Sequence, residues 1–404
     1  MFGFRPWFAF LRRAPIRFFF LRFDMASWYG SPALVPPGAS RTLGDMEKFG
    51  FVGLPNAGKS SLFNALTGGS ALAAPYAFAT TDPNVGVAKV FDHRLEALAE
   101  MSHSKNVVHA SVQFNDIGGL VEGASKGEGL GNKFLGGIRE VDAIVFVLRA
   151  FEDPDVPGVA DPLEHLRIVE LELTYADLET VEKQIDKRRK AAKSGDKSMA
   201  EEVAAAEAAL AHLEAGTPLY RADLSESHRE LLRSWFLLTN KPVLAVVNVD
   251  EEQLTRLDEV IKPVEAELGE LAPVFGACIQ LEAEAAQLEP EDRAEMLEAY
   301  ELGEGALPRF IHAAYLALGL RTFFTTGEKE TRAWTFRVGS TAPVCAGHIH
   351  SDLQRGFIRA ETIHWDELVA IGSWSKAREL GKIRSEGKEY VVVDGDVVEI
   401  RFSV

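Results

Sequence analysis

Residues Gly53-Leu54-Pro55-Asn56-Ala57-Gly58-Lys59-Ser60 spell G-x-x-x-x-G-K-[ST], and the chemistry of that spacing is phosphate capture. Gly53 and Gly58 let the backbone turn tightly, so that the N–H groups of Asn56, Ala57, Gly58, Lys59, Ser60 and Ser61 converge on phosphate oxygens. Lys59 is long enough to reach the β- and γ-phosphates, and the Ser60 hydroxyl is a Mg²⁺ ligand. The helix that follows adds partial positive charge at its N-terminus. A chance match in a glycine-containing turn is the competing reading, and the downstream residues argue against it.

Those residues arrive in the order phosphoryl transfer needs. Thr80, with Thr81 beside it, supplies a hydroxyl or backbone contact to Mg²⁺ and the γ-phosphate. Asp116 closes a strand carrying Val112 and Phe114 and opens D-x-x-G, so it can hold a Mg²⁺-bound water while the Gly119 N–H meets the γ-phosphate. The expected catalytic set is therefore Lys59, Thr80 and Gly119, and the expected metal set Ser60, Thr80 and Asp116. Leu120 follows, where a side chain able to orient the attacking water would stand. Leucine neither donates nor accepts, so basal turnover is expected to be slow and open to stimulation. The run from Gly123 to Asn132 is glycine-rich, a composition suited to a loop ordered by a γ-phosphate and released afterwards.

Base recognition falls to Asn248-Val249-Asp250-Glu251. A guanine-reading site of the form Asn-Lys-x-Asp needs a lysine stem over the base and an aspartate that accepts N1–H and N2–H. Here Val249 removes the lysine. Glu251 carries its carboxylate about 1.5 Å too far forward, one C–C bond. Sites built on such hydrogen bonds discriminate by about 10⁴, and the selectivity fails when the partner is misplaced. ATP is expected to be preferred over GTP. A one-residue shift that uses Asp250 keeps GTP as the alternative.

These residues need a sheet to hold them. Apolar runs at 49–52, 85–91, 143–148 and 242–247 read as strands, with helical stretches at 61–66 and 94–101 and a loop at 74–84. Between 161 and 235 the text changes. Leu171, Leu178 and Ile185 recur every seven residues with Thr174 and Val181 between them, and an alanine-rich run carries Val203, Leu210 and Leu213 after Ser194-Gly195-Asp196. This reads as an antiparallel helical hairpin inserted between two strands of one nucleotide domain. Its lysine and arginine runs read as a solvated face or as an RNA-touching tip. From about Phe323 short strands return at 333–338, at 357–361 and at 390–400 around the turn Asp394-Gly395-Asp396, with a helical stretch at 346–354. The fold class is α/β: a P-loop domain at 46–160 and 236–320, the inserted helical domain at 161–235, and a β-grasp module at 321–404.

Composition sets the limits. The chain has 404 residues, a formal net charge of −17 and two cysteines, Cys278 and Cys345, far apart in sequence. That excludes a disulfide scaffold and a generic polyanion binder, and suits a reducing cytoplasm. No stretch approaches the roughly 20 apolar residues of a spanning helix. Residues 1–45 are rich in Phe and Arg and are expected to lack a stable fold. They read as a transit peptide or, preferably, as the product of a start codon placed too far upstream, because Met46-Glu47-Lys48 leads directly into the first strand. A monomer is the simplest oligomeric state.

Assembled, these motifs resemble the YchF-type Obg-like ATPases of the translation-factor class of P-loop proteins. The resemblance rests on Gly53 to Ser60, Asp116-Ile-Gly-Gly-Leu120, Gly123 to Phe134, Asn248-Val-Asp-Glu251, His350 to Ala360 and Asp394-Gly-Asp396, and covers essentially Met46 to Val404. It implies a C-terminal TGS domain of β-grasp type, a preference for ATP, slow hydrolysis, Mg²⁺ dependence, and ribosome association through the large subunit or the 70S particle. Contact with rRNA would run through the TGS domain, at Arg355 and Arg359 near Phe357, and through the helical domain. Asn56 resembles the asparagine that binds K⁺ in some relatives. Gly276-Ala-Cys278 stands where the family carries a Ser-Ala-Lys-like base contact, which leaves that contact to backbone from Gly276. Pro157-Gly158 replaces a histidine the family carries after Phe151-Glu-Asp153. Two other readings stay open: a non-hydrolysing, nucleotide-gated binding module, and an Obg-like GTPase.

Overall fold

Runs of Val, Ile and Phe that end in glycine, Asp or Asn build the central sheet, because β-branched and aromatic residues fit a pleated buried surface and the short polar residues release it. The computed structural model describes residues 46–68, 84–117, 130–154, 158, 160–192 and 197–403. The expectation for residues 1–45 lies outside them. The first half of the chain runs β1 (Lys48–Val52), α1 (Lys59–Gly68), β2 (Val85–Val90), α2 (His93–Met101), β3 (Asn106–Val108), β4 (Ala110–Asp116), α3 (Leu130–Glu140) and β5 (Ala143–Arg149). After α4 (Pro162–Ala192), α5 (Lys197–Glu214) and α6 (Glu226–Leu231), the sheet resumes with β6 (Val243–Asn248), α7 (Leu257–Leu268), β7 (Val274–Ala277), α8 (Ile279–Ala285), α9 (Pro290–Ala299) and α10 (Ala306–Ala317). The strand order is β2-β4-β1-β5-β6-β7, with β2 antiparallel and the others parallel. Every residue of β5 and β6 is buried, as expected of strands covered by helices on both faces. The carboxyl ends of β1, β4, β5, β6 and β7 share one edge, the place where open α/β sheets hold ligands.

The helical insertion grows out of that sheet. Leu166, Val169, Leu173 and Ala176 in the first half of α4 pack in the same core as β5 and β6. Val181 and Ile185 in the second half pack with Ala205, Ala206 and Ala209 of α5 and with Trp235. The seven-residue seam expected from the sequence is displaced. Leu171 is 46% exposed, while Thr174 and Val181 are buried. A straight helix turns every 3.6 residues, so the buried stripe drifts away from a strict heptad. Asp177 fixes the root of the insertion by accepting from Leu238 N and Thr239 N at 2.7 Å each and from the Thr239 hydroxyl at 2.6 Å. Burial pushes its carboxyl up to about 6.

The C-terminal part runs β8 (Leu320–Thr325), β9 (Glu330–Arg337), α11 (Ala342–Ile349), α12 (Ser351–Arg355), β10 (Phe357–His364), α13 (Trp365–Ile371), α14 (Trp374–Glu379), β11 (Arg384–Glu386) and β12 (Asp396–Phe402). The turn expected at Asp394-Gly395-Asp396 is there, with Gly395 at φ +89°, and β12 follows it; in the part of 390–400 before the turn only an isolated bridge forms, between Val391 and Thr341. The helical stretch expected over 346–354 is two helices, broken at His350, whose backbone is extended (φ −163°, ψ 143°). The sheet order is β11-β10-β12-β8-β9-β3, with β12 parallel to β8 as in a β-grasp. Its outer strand, β3, comes from the nucleotide-domain sequence and pairs in parallel with β9 from Asn106↔Glu330 to Val108↔Arg332. One core holds Phe49, Phe114 and Phe310 together with Phe324, Ile363 and Val397. Around it, Arg94 Nη1 donates to Asp394 Oδ2 at 2.8 Å, and Arg337 pairs with Glu47 at 2.6 Å.

Candidate nucleotide-binding site

The loop between β1 and α1 is shaped by three backbone requirements. A Cβ on Gly53 would lie 2.3 Å from the Val147 carbonyl oxygen. Gly58 takes φ +99°, and a Cβ there would meet Asn248 Nδ2 at 2.4 Å. Asn56 takes φ +59°, a left-handed conformation that asparagine tolerates better than most residues. Ala57 is fully buried, and the Leu62 N–H closes the first helical turn on Gly58 O at 2.8 Å.

Lys59 lies back over this loop, donating to Gly53 O at 3.1 Å and Leu54 O at 2.8 Å. Burial lowers its pKa, and the Asp116 carboxylate pulls it back up. The Ser60 hydroxyl donates to Asp116 Oδ2 at 2.6 Å, so the two residues expected at the metal are adjacent. Asp116 Oδ1 is buried and accepts from no protein donor among the described residues. An acceptor oxygen left open beside a hydroxyl fits a Mg²⁺ shell of oxygen ligands and waters. No group of three or more His, Cys, Asp or Glu among the described residues could hold a metal alone. Thr80, Gly119 and Leu120 lie outside the described residues.

An open cleft of about 1310 Å³ runs from Gly58, Lys59, Ser60 and Ser61 past Phe151 to Glu251, Cys278 and Gln280. Asn248 does not spend its amide on this cleft. Its Nδ2 donates to Ala57 O at 3.1 Å and its Oδ1 accepts from Ile279 N at 3.2 Å, tying the phosphate loop to the start of α8. Val249 is 2% exposed in the core, with its N–H on Ala277 O. It borders the cleft but has no stem to lay over a base. The Asp250 carboxylate accepts from Gln253 N at 2.9 Å, while its own N–H donates to Gln253 Oε1. That turn occupies one Asp250 oxygen, while Asp250 still borders the cleft. Glu251 remains at the base end, and its Oε2 accepts from the Tyr300 hydroxyl at 2.9 Å.

A Cβ on Gly276 would lie 2.4 Å from Leu257 Cδ1 and 3.0 Å from Ile261 Cγ2, so the glycine lets α7 pack closely on β7; the backbone contact to the base expected of it belongs to the proposal below. The segment that lines the cleft is Cys278-Ile279-Gln280. Phe151 and Tyr300 were also missed. Neither belongs to a spaced motif, and only the β5 end and the end of α9 bring them near the site. Gly158, with φ +101°, borders a separate space of about 300 Å³ between Pro55, Arg149 and His165. Arg355 pairs with Asp352, and Arg359 with Glu361 at 3.2 Å, so both arginines already have acidic partners. No helix among the described residues is long and apolar enough to cross a membrane.

Comparison with known proteins places these features in a wider set. Residues 48–186 match a family model described as a 50S ribosome-binding GTPase. Residues 320–403 match the YchF GTPase C-terminal model, described as a protein of unknown function. The chain is 47% identical over 361 residues to the ribosome-binding ATPase YchF of Bacillus subtilis, covering 88% of this chain and 99% of that protein. It is 44% identical over 363 residues to the protein of the same name from Escherichia coli O157:H7, again covering 88% and 99%. A solved structure titled as the Schizosaccharomyces pombe YchF GTPase superposes with a TM-score of 0.80 at 35% identity, covering 91% of this chain and all of that one.

Proposed function

This chain belongs to the YchF family, and on that premise we propose that it is a ribosome-binding P-loop ATPase that binds ATP in preference to GTP and hydrolyses it slowly. The observation that carries the nucleotide reading is the base end of the cleft. Val249 is buried, Asp250 is held in its own turn with Gln253, and the remaining carboxylate, on Glu251, is one methylene longer than an aspartate. Such a site offers guanine no paired acceptor at the expected place, and selectivity built on that pair is lost.

The chemistry follows from the loop. Lys59 swings from the Gly53 and Leu54 carbonyls to the β- and γ-phosphates, which gives its ammonium a stronger partner than two neutral oxygens. Mg²⁺, when bound by Ser60 with Asp116 behind its water shell, neutralises charge developing on the phosphate oxygens. The roles expected of Thr80 and Gly119 belong to the same proposal. Leu120 cannot orient water, so turnover is slow until a partner supplies the missing group. In this reading Asn56, exposed and left-handed at the lip of the loop, can carry K⁺. Equal rates in sodium and potassium buffers would remove that part.

Ribosome binding comes from the printed names of the bacterial relatives, and with it a cytoplasmic place of action, a monomeric state and rRNA contact as further proposals. The test is competition of ATP and GTP for the Mg²⁺-loaded chain, with phosphate release followed with and without ribosomes. GTP binding tenfold tighter than ATP defeats the nucleotide preference. Release no faster than from Lys59→Ala, even with ribosomes, defeats the enzyme.

A further inference from the structure

Tyr300 bonds to the Glu251 carboxylate, and no motif accounts for it. It is held from outside the cleft. Leu297, one turn earlier, is 2% exposed in the main core, and Leu302 packs against the same core. Glu301 between them takes φ +59°, which ends α9 and leaves the Tyr300 ring 39% exposed beside the base end. Its hydroxyl donates to Glu251 Oε2 at 2.9 Å.

The two purines ask different things of that carboxylate. Guanine presents N1–H and N2–H side by side and calls for both oxygens of one carboxylate, as an arginine fork does. Adenine presents a single exocyclic amino group there, next to an acceptor nitrogen. Oε2 of Glu251 already accepts one hydrogen bond, from Tyr300. We propose that Tyr300 is a specificity-determining residue of this site. By donating to one oxygen of Glu251 it competes there with a second donor from the base, which suits the single amino group of adenine and weakens the paired acceptance that guanine needs. The inference rests on the ATP reading above, and on Glu251 facing the base.

The test uses the full chain with Mg²⁺ and a fluorescent adenine nucleotide displaced by ATP or by GTP. Tyr300→Phe is expected to tighten GTP and to narrow the ATP-over-GTP ratio about 5-fold, the worth of one hydrogen bond. The same change made in a Glu251→Gln background is expected to leave the ratio where Glu251→Gln alone puts it, because the effect runs through that carboxylate. An unchanged unfolding midpoint checks that the exposed ring was not structural. A ratio unmoved by Tyr300→Phe, or moved equally in both backgrounds, overturns the proposal. A wild-type chain that prefers GTP overturns the ATP reading instead, a result read before any variant is made.

Discussion

Asn248 uses both ends of its amide on the protein, one on the phosphate loop and one on α8. Asn248→Ala would leave the Ala57 carbonyl and the Ile279 N–H without these partners in a buried place. The expected cost is about 1–3 kcal/mol in a denaturant midpoint, together with weaker binding of either purine nucleotide. A change in base preference without loss of stability would contradict a latching role. Residue by residue, the phosphate loop was legible because its chemistry is contiguous, with glycine, lysine and serine bound by one short turn. The base end was less so. A glycine such as Gly276 does not say in sequence that the space a side chain would fill is taken by Leu257. Tyr300 meets Glu251 across 49 residues, and nothing local announces that meeting.

At the scale of elements, Asp177 and Glu361 hold secondary structures together with carboxyls shifted in opposite directions. Asp177, buried at the root of the insertion, has its carboxyl pushed up to about 6 by burial. Asp177→Ala strands the Leu238 and Thr239 N–H groups and is expected to cost about 2–4 kcal/mol in urea denaturation. Glu361 on β10 accepts from Arg401 on β12, Arg378 on α14 and Arg359 beside it. Arg401 is the largest influence, and the carboxyl is held down at about 2 instead of its ordinary 4.5. A depressed acid contributes stability that is whole above about 4.5 and disappears as pH falls through about 2. The gap in unfolding midpoint between wild type and Glu361→Gln should therefore be open near neutrality and close in strong acid. A gap independent of pH would rule out this linkage. The hairpin itself was readable from its alternating charge and leucine, but not its seam, because a heptad count cannot tell that the first half of α4 packs on a sheet and only the second half on α5.

Over the whole molecule, β3 was the element least open to prediction. Three residues, Asn106-Val107-Val108, carry too little pattern to be read as a strand, and their partner in β9 lies more than 220 positions away. The C-terminal sheet is thereby continuous with nucleotide-domain sequence and shares its core. Removing residues 321–404 would uncover Phe49, Phe114 and Phe310 packing and strip β3 of its ladder. The expected result is a truncated chain that unfolds well below the intact one or aggregates, while the intact chain melts these two parts in one transition by calorimetry. A truncated chain with an undiminished melting temperature would refute the shared core. Ribosome contact by the C-terminal part is better tested with Arg355→Glu and Arg359→Glu in the intact chain, where the loss of co-sedimentation relative to the unaltered chain should be largest at low salt and shrink as salt rises if phosphates are touched.

The seam at β3 also constrains motion. A module strapped to its neighbour by a backbone ladder, the Arg94–Asp394 pair and a common apolar interior cannot swing on a linker when nucleotide comes and goes. A stroke driven by ATP would have the other appendage to act through, where α4 runs unbroken for 31 residues from beside the small space at Pro55 and Arg149. The molecule would then work as a fixed hand with one lever, whose fulcrum is Asp177.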